Sequence, residues 1–413
     1  MSAAMSSPAP GASERLHSLD ALRAIALLLG VVLHSAMSFI ESPVFPIWIV
    51  ADNDPSPVMA VVFFFTHLFR MAAFFLIAGY FAHLLLERRG TWGFVKNRAV
   101  RIAMPLSIFW TPVLMGILAC LLWAVWIRNG HSFPPGPPPP PITVETFPWT
   151  HLWFLWVLLL FYAGLLLGRA AIGALDRKGR LAAGADKAMR LLVTPWALPV
   201  VAAPLAAALY LKADWIMWFG VPTPDTGLVP NLAATVAYGT AFLLGYLMRR
   251  QSEILLATVS RHWALFAILA LGLGVGSLIL AGGASIPNFL VPPERSVVNA
   301  AVYALAVFAS AFAALALSLR FLSGHRPALR YLADASYWVY LIHLPVVMAL
   351  QVMVHDLAWP WPAKVVAIVA GTAVVTLGTY ELLIRHSFMG RWLNGRKVPR
   401  RRRPKPESLP AAA

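Results

Sequence analysis

The chain has 413 residues, of which 60% are hydrophobic and 12% are charged, and its formal net charge is +16. This balance leaves too little polar surface to cover a soluble globule of that size, so the composition predicts an integral membrane protein. The basic residues lie between hydrophobic runs and in residues 396–405 instead of on one folded face. That distribution disfavours nucleic-acid binding and favours contact with anionic lipid head groups.

Apolar runs of roughly 20 residues, the length that crosses a bilayer, recur along almost the whole chain. They predict an all-α polytopic membrane protein, a single bundle of about ten transmembrane helices within residues 15–390. Residues 1–14 are predicted to be a disordered tail and residues 391–413 a basic cytoplasmic tail. The predicted helices lie near residues 18–40, 58–86, 103–127, 151–172, 192–211, 229–248, 259–282, 296–319, 332–354 and 363–385.

The distribution of Lys and Arg predicts how the bundle is oriented. The gaps after the second, fourth, sixth and eighth helices are basic, beginning at Arg88, Arg177, Arg249 and Arg320, whereas the other gaps hold few basic residues. The positive-inside rule then places both termini in the cytoplasm, and we expect the bacterial inner membrane. Residues 134–141, nearly all proline, would form a stiff outer segment that is either a spacer or a lip over an outward-facing site.

The first predicted helix carries Arg23 near its cytoplasmic end and His34 deep in the membrane. Eleven residues make about three helical turns, so the two side chains share a face and lie roughly 16 Å apart. A histidine at that depth is costly and indicates a polar path or a site. A simple hydrogen bond between helices is the alternative interpretation.

The second predicted helix brings His67 and Arg70 to nearly the depth of His34. No Asp or Glu is predicted at that level, because Asp20, Asp334 and Glu381 all fall near cytoplasmic ends. Arg70 therefore needs carbonyl groups, water or an anionic ligand, and both a structural and a ligand-binding role stay open.

Arg98 and Arg101 precede the third helix on the cytoplasmic side. Three residues apart in a helical turn, they project together and could grip phosphates, although ordinary membrane anchoring explains them equally well. His343 lies near mid-span of the ninth helix and is a further candidate for the polar interior. His151, Trp153 and Trp156 open the fourth helix, where an interfacial aromatic belt is the first interpretation of the two indoles.

The sequence contains no HExxH motif and no Gly-Lys phosphate loop, and its one cysteine, Cys120, lies in an apolar run. No metal site is therefore predicted, and any chemistry must come from side chains within the bundle.

At these residues the chain resembles the acyltransferase type 3 family of membrane proteins. Arg23-x10-His34 is similar to the family's arginine and histidine signature, and Arg98-x-x-Arg101 is similar to its paired arginines. Within the family, residues 69–81, 151–156 and 337–345 look most like the glucans biosynthesis protein C branch, the succinyltransferases of osmoregulated periplasmic glucans. Many relatives have Ser-Gly where this chain has Ala78-Gly79, so no role for that serine is carried over.

The resemblance implies transfer of an acyl group from cytoplasmic acyl-CoA, as succinyl-CoA or acetyl-CoA, to a hydroxyl of a periplasmic or cell-envelope glycan. Arg23, Arg98 and Arg101 would hold the phosphates of CoA, and His34 would act as the base or become acylated. Arg70 would bind the carboxylate of a succinyl group. The remaining candidates for the acyl or acceptor site are His67, His151, Trp153 and His343, with Trp156 expected beside His151 and Trp153 at the outer mouth.

Two other classes fit the same pattern of buried His and Arg. A transporter or flippase of a polar glycan or lipid would also need ionisable groups inside a ten-helix bundle, and a scaffold would leave those groups merely paired. Transfer or hydrolysis of acyl-CoA by the purified protein separates an enzyme from both.

Overall fold

The computed structural model describes residues 10–42, 48–133, 141–286, 294–324 and 326–394. These residues form helices joined by short connections, with no strand beyond an isolated bridge between Pro148 and Thr226 in the ranges described. The predicted all-α class is confirmed. The proline-rich stretch 134–140, residues 1–9 of the predicted disordered tail and residues 395–413 of the predicted basic tail lie outside the described residues. Residues 10–14 and 391–394 of those two tails are helical.

Thirteen α-helices follow one another in these ranges. They are α1 (Pro10–Ala36), α2 (Pro57–Arg98), α3 (Met104–Arg128), α4 (Trp153–Leu175), α5 (Arg180–Leu192), α6 (Leu198–Leu211), α7 (Leu232–Met248), α8 (Ser252–Arg261), α9 (Trp263–Leu280), α10 (Val297–Phe321), α11 (Pro327–Val354), α12 (Trp361–Thr379) and α13 (Phe388–Asn394).

Eight helical stretches of the described chain are long and apolar enough to cross a membrane, or nine if the bent pair α5 and α6 counts as one span. The prediction was about ten, and each predicted segment is largely helical. One cause of the lower count is that the 72-residue stretch Pro57–Arg128 contains both the second and the third predicted helix. The other is α6, whose 14 residues are only about 21 Å long, less than the hydrocarbon thickness.

Helices α2 and α3 are continuous through a π-helical segment, Ala99–Ala103. The sequence predicted a gap there, because the apolar run stops at the arginines. The helix is interrupted instead at Gly90, whose φ of 65° suits a residue without a Cβ. As a result Arg98 and Arg101 stand on helical backbone at the end of the bundle that we call the basic face.

The helices pack closely around a polar interior. Helix α1 packs against α2 and α11, and α2 packs against α7. At Gly79 and Gly245 a Cβ would collide with the backbone of Phe242 and Leu76, so these two glycines let α2 and α7 approach closely. The space enclosed by α1, α2, α11 and the start of α4 holds six of the predicted site residues.

Candidate active site

A cavity of about 340 Å³, here called the histidine chamber, lies between α1, α2, α11 and the start of α4. Its side chains come from positions more than 300 residues apart in the chain. It extends to the end of the bundle that carries Trp48 and Asp225, which we call the opposite face and which the sequence predicts to be periplasmic. The chamber unites six predicted site residues: His34, His67, Arg70, His151, Trp153 and His343.

Three imidazoles form a row within the chamber. The ring centroids of His34 and His343 are 5.4 Å apart, and those of His343 and His151 are 5.1 Å apart. His67 is set aside from this row, stacked on Phe63 with 5.6 Å between centroids. The row places several groups that can exchange protons within one small volume.

Hydrogen bonds to carbonyl groups fix the tautomers of two of these imidazoles when they are neutral. His343 Nδ1 lies 2.8 Å from the carbonyl oxygen of Tyr340, and His151 Nε2 lies 3.1 Å from the same oxygen. A carbonyl oxygen only accepts, so these nitrogens carry the protons. His343 Nε2 and His151 Nδ1 are then unprotonated, and both are buried without a hydrogen-bond partner in the described residues.

His34 stands near the end of α1 with its ring against Trp48, the centroids being 5.8 Å apart and the planes inclined by 22°. Its Nδ1 is buried and has no hydrogen-bond partner among the described residues. The backbone of His34 is fixed by a hydrogen bond, because the side-chain amide of Gln351 donates to the carbonyl of His34 at 2.9 Å. The imidazole is therefore positioned by stacking while Nδ1 is unengaged.

Arg70 enters the chamber from α2. Its Nε is buried without a hydrogen-bond partner, and within the described part of the chain it forms no ion pair. Gly30 makes room for it, since a Cβ on Gly30 would lie 2.5 Å from Nη1 of Arg70. Among the described residues, no carboxylate lies within ion-pair distance of Arg70.

A second cavity, of about 520 Å³, opens at the basic face and is here called the arginine pocket. The predicted residues Arg23, Arg98 and Arg101 all line it. Arg88 and Arg89, which the sequence suggested only as topology signals, line it as well. Five guanidinium groups around one pocket suit a ligand that carries several phosphates.

The arginines of this pocket differ in how firmly they are held. Arg98 donates to the hydroxyl of Tyr162 at 3.3 Å and to the side chain of Asn97 at 2.6 Å. Arg23 is half exposed and pairs with Asp20 at 3.3 Å. The Nε atoms of Arg98 and Arg101 are buried without partners among the described residues, so both retain capacity to donate hydrogen bonds.

The two cavities meet at a waist. Four side chains line both of them, namely Leu27, Phe74, Phe154 and Tyr340. Tyr340 is fixed there, because its hydroxyl donates to the carbonyl of His151 at 2.7 Å. The waist thus separates the arginines of the basic face from the imidazoles by a single layer of largely apolar side chains.

The rim of the chamber at the opposite face contains residues that sequence reasoning missed. Trp48, Thr223 and Asp225 line it, and all three stand on connections between helices. Loop positions have no helical periodicity, so the only available signal was the acidic and aromatic character of the outer loops. Of the indoles expected at the mouth, Trp153 is buried inside the chamber, whereas Trp156 donates to the carbonyl of Leu228 at 2.8 Å and does not line it.

Comparison with known proteins gives a family match over most of the chain. A family described as an acyltransferase domain, acyltransferase 3, matches residues 16–381. These bounds include every candidate residue in both cavities.

Individual relatives are similar over a shorter stretch. The chain is 28% identical over 158 residues to glucans biosynthesis protein C of Shigella dysenteriae serotype 1 (strain Sd197), and equally so to those of Escherichia coli O1:K1 / APEC and O157:H7 (strain EC4115 / EHEC). The aligned stretch spans 37% of this chain and 38% of each relative. No solved structure gives a significant match.

Proposed function

This chain belongs to the acyltransferase 3 family of membrane enzymes, and we propose that it transfers a succinyl group from succinyl-CoA to a hydroxyl of a periplasmic or cell-envelope glucan. In this proposal the arginine pocket holds the phosphates of CoA at the cytoplasmic side. The histidine chamber receives the thioester through the waist and the acceptor from the opposite face.

The observation that carries the proposal is the waist shared by the two cavities. A phosphate group held by Arg23 is about three helical turns, or roughly 16 Å, from the level of His34. In this proposal only the acyl-bearing arm passes between these four side chains, and the nucleotide portion of CoA stays in the arginine pocket. The geometry therefore supports delivery of the acyl group from one side of the membrane to an acceptor that enters from the other.

His34 is proposed as the general base. Its Nδ1 takes the proton of the acceptor hydroxyl while the oxygen attacks the thioester carbonyl carbon. The new carbon–oxygen bond forms and the carbon–sulfur bond breaks. The imidazolium then gives its proton to the departing thiolate of CoA, so an ester and free CoA leave the site. His343, with an unprotonated Nε2 beside His34, is placed to support this proton movement.

Arg70 supports succinyl as the transferred group. A succinyl group carries a carboxylate a few ångströms from its thioester carbon, and a guanidinium binds a carboxylate through two hydrogen bonds. Arg70 offers such a group, because its Nε has no partner and no ion pair holds it among the described residues. Acetyl-CoA brings no carboxylate and leaves this buried cation without a counter-charge.

The experiment compares succinyl-CoA with acetyl-CoA, using purified protein in detergent and a glucose oligosaccharide as acceptor. We expect the wild type to prefer succinyl-CoA, and Arg70→Met to lower succinyl transfer more than acetyl transfer. Arg261→Met, a change at an exposed arginine of α8 outside both cavities, is the matched control. A wild-type preference for acetyl-CoA, or equal losses with both donors in Arg70→Met, rejects the succinyl assignment. Absence of turnover with every acyl-CoA tested favours a transport role.

A further inference from the structure

We infer that the rim formed by Trp48, Thr223 and Asp225 is the subsite that binds the acceptor, and that it recognises an uncharged polyhydroxylated ring. This inference rests on the proposed function and identifies which residues select the acceptor. All three side chains line the outer end of the chamber that contains His34.

The loop that carries Asp225 is joined to the loop that precedes α4. Pro148 and Thr226 form an isolated bridge, and the amide of Gly227 donates to the carbonyl of Phe147 at 2.9 Å. Gly227 has a φ of 79°, and a Cβ there would lie 2.9 Å from the carbonyl oxygen of Glu145, so this junction requires glycine. Asp225 is therefore presented by a fixed connection.

Thr150 links this junction to the imidazole row. Its amide donates to the carbonyl of Asp225 at 3.0 Å, and the next residue is His151. Thr150 has a φ of 51°, which is costly for a β-branched residue. Strained backbone of this kind is retained where the surrounding structure imposes it, and it is frequent at ligand sites. Here it fixes the spacing between the Asp225 loop and the chamber.

Trp48 forms another part of the rim, and Gln351 fixes its position relative to His34. Its indole nitrogen donates to the side-chain oxygen of Gln351 at 2.8 Å, while the amide nitrogen of Gln351 donates to the carbonyl groups of His34 and Ser35. Gln351 itself is buried. An acceptor ring that contacts Trp48 would consequently have a defined position relative to the His34 imidazole.

The chemistry of the rim selects among acceptors. The carboxylate of Asp225 forms no ion pair among the described residues, and it can accept hydrogen bonds from two neighbouring hydroxyls of a sugar. The hydroxyl of Thr223 can both donate and accept. Aromatic surface with a few oriented polar groups is the usual composition of a small-ligand site. A phosphorylated acceptor would meet the charge of Asp225 and be repelled at this rim.

The test measures initial rates of succinyl transfer against the concentration of neutral glucose oligosaccharides of two to eight units. Asp225→Asn keeps the shape of the side chain but removes its charge. Charged hydrogen bonds are strong enough that we expect the KM for the oligosaccharide to rise about tenfold or more. This rise should exceed any change in the KM for succinyl-CoA.

Asp214→Asn is the matched control, because Asp214 is also at the opposite face but pairs with Lys212 and lies outside the chamber. We expect its acceptor KM to equal that of the wild type. An acceptor KM for Asp225→Asn within twofold of the control overturns the inference.

Direct binding separates the inference from the proposed function. Tryptophan fluorescence, with and without oligosaccharide and in the absence of any acyl-CoA, reports binding even if no transfer occurs. Binding by the wild type that is weakened in Asp225→Asn supports the subsite whatever the donor is. Equal binding by both proteins, or none by the wild type, overturns it.

Discussion

The imidazoles of His34 and His343 lie with their centroids 5.4 Å apart, and each has a buried nitrogen without a hydrogen-bond partner in the described residues. His343 is held by its bond to the carbonyl of Tyr340, whereas His34 is held by stacking on Trp48. The two rings are therefore not equivalent. His343 is oriented by a hydrogen bond, and His34 is set between that ring and the rim where the acceptor is proposed to bind.

We expect His34→Ala to reduce acyl transfer on the order of 10²- to 10⁴-fold, the usual effect of losing a general base. The variant should still be extracted intact, because the carbonyl of His34 keeps its bond from Gln351. The measurement is the transfer rate of purified protein, with gel filtration as the check on folding. His262→Ala, a change at the junction of α8 and α9, is the control. Near-normal turnover in His34→Ala would remove this residue from the mechanism.

Arg98→Ala and Arg101→Ala should each raise the KM for acyl-CoA more than they lower kcat. Phosphate groups are bound alike in the ground state and the transition state, and uniform binding energy appears in KM. Full titrations of the donor at saturating acceptor provide both constants, and Arg261→Ala is the control at an exposed arginine. A loss confined to kcat would place these side chains near the reacting carbonyl instead.

Acceptor use should weaken on acidification through Asp225. Partial removal from water raises the pKa of this carboxyl above its usual value, so the proposed hydrogen-bond acceptor is neutralised at a higher pH than an ordinary aspartate near 3.9. We expect kcat/KM for the oligosaccharide to fall as the pH decreases through that raised pKa.

Other groups in the same chamber can also carry charge, namely Arg70 and the imidazoles of His34, His67, His151 and His343. Comparison of Asp225→Asn with the wild type separates the contribution of Asp225 to the pH profile from theirs. The low-pH decrease should be smaller in the variant. Because the folded-state pKa lies above the unfolded value, ionisation of Asp225 opposes folding as the pH rises through that range. The Tm of Asp225→Asn at neutral pH should therefore be at least that of the wild type. If the role of Asp225 were purely structural, the Tm of the variant would be lower. An identical pH profile in both proteins would contradict this assignment.

Depth along a helix could be predicted from the sequence, and position in a loop could not. A rise of 1.5 Å per residue placed His34, His67 and Arg70 at one level, and the structure brings them into one chamber. Trp48 and Asp225 stand on connections, where no periodicity relates position in the chain to position in space. Their placement depends on bonds between loops, such as that from Thr150 to Asp225.

Contacts between distant parts of the chain were equally outside the reach of sequence patterns. Asp52 falls between the first two predicted helices and Lys364 at the start of the tenth, and their side chains are buried and form an ion pair at 2.8 Å. Nothing in the hydrophobic pattern links two residues that are 312 positions apart. The same holds for Gln351, which joins Trp48 to the end of α1.

The Asp52–Lys364 pair should be essential to the loop that carries Trp48. The Lys364 ammonium donates to Asp52, to the side chain of Asn53 and to the carbonyl of His355, so its three protons are all used. Asp52→Ala leaves this buried cation without its counter-charge, and loss of one partner of a buried pair costs about 3–5 kcal/mol. We expect a marked drop in Tm, measured in detergent.

The double variant Asp52→Leu/Lys364→Met should recover most of the lost Tm, because no unpaired charge remains. Lys212→Met, which removes one member of a solvent-accessible pair, should leave Tm nearly unchanged. A Tm for Asp52→Ala equal to that of Lys212→Met would show that the buried pair does not stabilise the loop.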